Sequence, residues 1–177
     1  MTLLLRSYAG SILHGMSTPE SDTDIVEVYS SPFPVGRDSY KNEIQSIEDG
    51  LDLTRLTLSR FMERASVGSH QALDAMFSNV VEVDKISALR HGFIAGSNAI
   101  PVFIGTIREL AHQDFAKKHR HAARIALNLK ELAETGRYEP TLTPEKIEVV
   151  QKMAALPTVE FKIKLQEMVP FYLGLRK

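Results

Sequence analysis

The chain has no cysteine, almost no net charge and no long apolar run, and each shortage closes off a class of function. Without cysteine there is no disulfide framework, no thiolate metal site and no cysteine nucleophile, and structural zinc is disfavoured for the same reason. The 21 Lys and Arg against 22 Asp and Glu leave a net charge of −1, so no global basic field holds nucleic acid. Leu3-Leu4-Leu5 gives way to Arg6, too short a run for a signal peptide or a membrane span. A cytoplasmic setting without membrane contact is the expectation. There is also no internal repeat, no P-loop, no Rossmann glycine fingerprint, no H-E-x-x-H and no nucleophile elbow.

What is present divides by period. Leu3 to Tyr8 and Asp24 to Tyr29 read as strands, the second β-branched and closed by Ser30-Ser31-Pro32. Between them Ser11 is placed to cap a short helix that Gly15 ends. Residues 32–42, with two prolines, read as a loop. Glu43 to Ile47 and Leu51 to Thr57 flank Glu48-Asp49-Gly50, a hairpin signature. About four strands follow from this.

From Leu58 onward the apolar spacing is helical. It predicts helices over 58–67 and after Gly68, then one through Phe103, Ile107, Leu110 and Ala111 with Phe115 on the same stripe. Another runs through Ala122, Ile125, Leu129 and Leu132 to Thr135-Gly136, and two more span Pro144 to about Leu156 and Thr158 to about Leu175. The fold class is α+β: a small mixed sheet in a core over 1–80, with a helical region over 81–177 packed on it.

The chemistry concentrates early in the chain. Ten residues separate Gly10-Ser11 from Asp22-Thr23-Asp24. A glycine lets backbone approach a phosphate, and a serine hydroxyl with adjacent amides can hold it. Asp22 and Asp24, two apart on a strand, are expected on one face, where paired carboxylates call for a divalent cation; hard oxygen donors select Mg²⁺ or Mn²⁺. Asp52, on the next strand, is the candidate third metal ligand, whereas Glu27 falls on the opposite face from the pair. Later, Lys117, Lys118, Arg120 and Arg124 form a basic stretch. Lys118 and Arg124 are the chosen contacts to a triphosphate or an RNA backbone. Asp74 is read as packing or capping within its own helix, and His14 as a local hydrogen-bonding group.

These residues resemble the DNA polymerase β-like nucleotidyltransferase superfamily, in particular its predicted nucleotidyltransferase branch of bacteria and phages. The likeness rests on Gly10, Ser11, Gly15, Pro19, Ser21, Asp22 and Asp24. It continues through Asp52-Leu53-Thr54, Leu58-x-x-Phe61, Leu73-Asp74-Ala75-Met76-Phe77 and Lys118-x-x-His121-x-x-Arg124. Asp74 stands where that branch usually has Glu. The resemblance implies Mg²⁺ dependence, catalytic and metal-binding roles for Asp22, Asp24 and Asp52, and nucleotide binding at Gly10 and Ser11. The expected reaction moves an NMP from an NTP to an acceptor hydroxyl on an RNA end, a protein or a small molecule, releasing pyrophosphate. The alternative is a non-catalytic nucleotide-binding or antitoxin-like regulatory module with the same fold.

Overall fold

A computed structural model describes residues 1–37 and 39–169. The chain begins with β1 (Leu3–Tyr8), turns through a single helical turn, α1 (Gly10–Leu13), and returns as β2 (Thr23–Tyr29). The stretch expected to be a loop holds a two-stranded ribbon, β3 (Phe33–Pro34) with β4 (Tyr40–Lys41). Its Phe33 packs edge-on against Tyr29 at 5.5 Å between ring centroids. The hairpin of β5 (Glu43–Glu48) and β6 (Leu51–Thr57) turns at Asp49 and Gly50, with φ of 50° and 79°. Two positive φ angles in succession match the twist of the flanking strands, which is why glycine suits the second position.

The main sheet has five strands in the order β5-β6-β2-β1-β7. The fifth, β7 (Val81–Asp84), follows residue 80, so the sheet extends past the boundary read from the sequence. Only β2 and β6 run parallel, and they pair Asp24 with Asp52, Val26 with Thr54 and Val28 with Leu56. Strand alternation splits β2 between two faces. Val26 and Val28 join Leu5 and Leu56 in the core beneath the helices. Glu27 points to the other face, where Arg6 and Arg55 pair with its carboxylate and Tyr29 donates a hydrogen bond to it.

Helices α2 (Leu58–Ser66) and α3 (His70–Phe77) follow β6 directly. Thr57 caps α2 by accepting from the Arg60 N–H at 3.2 Å, and Phe61 and Ala65, four apart, turn the same side inward. Next come α4 (Ser87–Gly92), which the sequence pattern does not reveal, and α5 (Ala99–Ala111). The long α6 (Ala116–Thr135) buries Ala122, Ile125, Leu129 and Leu132 and stops at the left-handed Gly136. Each large apolar side chain so buried contributes about 1.5–3 kcal/mol. Phe115 does not continue the stripe of α5. It precedes α6 as the N-cap and is exposed.

α7 (Pro144–Ala154) is capped by Thr143, and α8 (Thr158–Met168) packs on α5, α6 and α7. The remainder of the last expected helix, to Leu175, lies outside the described residues. One hydrophobic core runs from Leu5 to Val169 and joins sheet and helices. The architecture is α+β with a helical C-terminal half. Among the described residues no helix is long and apolar enough to cross a membrane.

Candidate functional site

The turn from β1 into α1 brings Gly10 and Ser11 against the start of β2. The Ala9 N–H donates to the Asp24 carbonyl at 2.9 Å, which fixes the two segments side by side. Gly10 adopts φ of 56°, and a Cβ at this position would meet Asp24 Oδ2 at 1.9 Å. The space that glycine leaves open is thus occupied by a carboxylate of the chain itself. The expectation that this glycine makes room for phosphate is replaced by one in which it makes room for Asp24. Ser11 lies inside α1 rather than capping it: the N-cap is Ala9, with no side-chain cap bond.

Asp24 and Asp52 are register partners on the parallel strands, so both carboxylates project from the helix-covered face at its open end. Asp22 behaves differently. It precedes the strand, its side chain is 78% exposed, and its partner is Lys117 Nζ at 3.9 Å. Strand parity therefore does not place Asp22, although it lines the same cleft as Asp24. Burial, then the charges of Asp52 and Asp22, push the Asp24 carboxyl above its usual range; Lys117 and His14 pull the other way. A carboxylate in this setting is short of positive charge.

Two cavities meet at Asp24. The larger, about 310 Å³, is bounded on one side by Ser11, Ser21, Asp22 and Asp24 and on the other by Lys117, Arg120 and His121 of α6. It is a cleft with acid on one wall and base on the other. The smaller, about 80 Å³, lies toward Asp52 and is lined by Gln45, Thr54 and Gln71. Burial, with the charges of Arg124, His14 and Lys117, pushes the His121 ring down to about 4, which keeps it neutral near pH 7.

Of the two cations chosen from the sequence, neither lines the cleft. Lys118 is half-buried on a neighbouring side of α6. Arg124 shares the stripe of Lys117, Arg120 and His121, but it sits one turn deeper, 2% exposed, with Nη1 3.5 Å from Asp74 Oδ2 and 3.2 Å from Asn128 Oδ1. Asp74 also accepts from the Tyr138 hydroxyl and lies 3.4 Å from His14 Nε2, while His14 Nδ1–H donates to the Pro140 carbonyl at 2.9 Å. Burial pushes the Asp74 carboxyl up, but Arg124 and His14 outweigh it and hold the group well below the usual carboxylate range. Asp74 thus ties α1, α3 and α6 together behind the cleft. Its role as a packing residue within one helix is too narrow, and Arg124 serves this buried pair.

Carboxylate oxygens are the donor chemistry that Mg²⁺ and Mn²⁺ take. Among the described residues no three His, Asp or Glu side chains form a ready-made metal cage. Mg²⁺ does not ordinarily use one, being held by one or two carboxylates with substrate phosphates and water. The residues fit a cation that arrives with a phosphate ligand. No protein-family model matches the chain, and no curated protein matches its sequence.

Proposed function

We propose that the chain is a metal-dependent nucleotidyltransferase that moves an NMP from an NTP to an acceptor hydroxyl and releases pyrophosphate. The observation that carries this reading is the in-register pair Asp24 and Asp52, with Asp24 pressed against Gly10 and its ionisation opposed by burial and by its acidic neighbours. It agrees with the resemblance to polymerase β-like nucleotidyltransferases in the same residues. Asp22, Asp24 and Asp52 would hold Mg²⁺ or Mn²⁺, which supplies charge neutralisation at the phosphates and makes the acceptor hydroxyl more acidic. Ser11 and the α1 turn would hold the terminal phosphates of the donor. Lys117 and Arg120 would balance the remaining phosphate charge, in the place first assigned to Lys118 and Arg124. The cytoplasm, rich in NTP and Mg²⁺, is the setting that suits this chemistry.

Calorimetric titration with each NTP in the presence of Mg²⁺ tests the donor half. Wild type should bind at least one NTP, and Asp24→Ala should lower the affinity by at least about tenfold, the loss expected when a charged contact is removed. No Mg²⁺-dependent NTP binding in wild type would falsify the enzyme reading.

A second reading, the non-catalytic regulatory module, draws on the exposure of Asp22 and the absence of a preformed metal cage among the described residues. NTP binding without release of pyrophosphate under any acceptor would favour it.

A further inference from the structure

We infer that the outward face of α8 is where a second copy of this chain docks, the two helices running antiparallel about a two-fold axis. Val159, Ile163 and Phe115 line neither cavity of the candidate site, so the inference is independent of the reaction proposed above.

Helix α8 is apolar on two sides. Phe161 and Leu165, four apart, are buried and account for the packing of α8 on α5, α6 and α7. Val159 and Ile163, also four apart, lie on the opposite side, 70% and 53% exposed. A helix packed on one side needs an apolar stripe on that side alone. The second stripe does not serve the helix itself, since β-branched residues are poorer helix formers than the straight-chain residues that suit a solvated face. Phe115 extends the patch. Thr158 donates to the Asp114 carboxylate, which brings the first turn of α8 beside the link between α5 and α6, and there Phe115 is 68% exposed.

The charges beside the stripe point to the partner. Glu160 and Lys164 stand exposed along one flank, one turn apart. On the other flank Lys162 is turned toward the end of α5, with Nζ donating to His112 Nδ1 at 3.1 Å. When two such helices run antiparallel with Val159 against Ile163 of the partner subunit, Glu160 comes level with Lys164 of the partner subunit, and the two-fold axis repeats both contacts. The face is thus complementary to itself in its apolar stripe and in its charges. One helix face with Phe115 makes a small contact, below about 1,200 Å² in total, which is the range of weak and transient association.

Sedimentation equilibrium of the full chain over a concentration series reads this association. Wild type should pass from monomer to dimer with a dissociation constant in the micromolar range. Ile163→Glu should weaken the dimer by at least about tenfold, because it places a charge in the apolar stripe. Glu160→Lys alone and Lys164→Glu alone should each weaken it by at least about fivefold, since each sets two like pairs face to face. An equimolar mixture of those two variants should recover wild-type affinity to within about twofold, because the mixed dimer restores two opposite pairs, a recovery that misfolding of either variant cannot mimic. Monomeric wild type at every concentration, a dimer that Ile163→Glu leaves unchanged, or a mixture no tighter than its components would each overturn the inference. Monomeric wild type that dimerises once residues 170–177 are deleted would give the face to that segment of the chain, and would overturn it as well.

Discussion

Asp24 is in tension with its surroundings. Its folded-state proton affinity is above that of a free aspartate, so the folded protein binds this proton more tightly than the unfolded chain does. The favourable contribution of the group is therefore present below the unfolded pKa and lost as pH rises through the higher folded value. At pH 7 the ionised group works against folding. Asp24→Asn should then raise the midpoint of thermal unfolding at pH 7, read by scanning calorimetry. The gain should vanish in scans below the ordinary Asp range. A lower midpoint at pH 7 would show that Asp24 is a structural hydrogen-bonding group. Stability given up at a site short of positive charge is what a cation-binding role requires.

Helix α6 carries an exposed cation and a buried one along one stripe, and variants can separate the proposed role of the first from the structural role of the second. Lys117 stands at the mouth of the cleft, exposed and opposite Asp22, whereas Arg124 lies two turns further in, among Asp74 and Asn128. Lys117→Ala should weaken NTP binding and change the free energy of unfolding in urea by no more than about 0.5 kcal/mol. Arg124→Met should cost about 3–5 kcal/mol, because it leaves the Asp74 charge buried with one cationic partner fewer. The opposite pattern would return Arg124 to the ligand and make Lys117 structural. The two strands and the helical turn that flank the acidic pair were legible in the sequence because each is local: alternation, a glycine, a turn. The burial of Arg124 was not. Helical spacing puts Lys117, Arg120, His121 and Arg124 on one stripe, and only the tertiary fold, through the Arg124–Asp74 pair with α3, decides where that stripe leaves solvent.

The same distinction holds for the fold. The α+β class, the hairpin at Asp49-Gly50 and the helices over 58–66 and 116–135 follow from short-range patterns. β7 and the β3–β4 ribbon do not, since a four-residue strand and two-residue strands carry too little periodicity, and β7 also pairs with β1, far away in the chain. That Asp52 comes beside Asp24 is the long-range feature that the sequence did suggest, through the place of Asp52 on the next strand after Gly50. Gln45 and Gln71, drawn beside that pair by β5 and α3, gave no signal, because single glutamines on polar surfaces are common.

The proposal that these carboxylates form a cation site for nucleotide chemistry is tested most directly by titrating Mn²⁺ into the ¹⁵N-labelled protein in the presence of a non-hydrolysable NTP analogue and reading which amide signals its unpaired electrons broaden. Broadening centred on Gly10, Ser11, Asp24 and Asp52, and abolished in Asp24→Asn, is the expected result. Broadening that misses those amides, or that Asp24→Asn leaves unchanged, would contradict it.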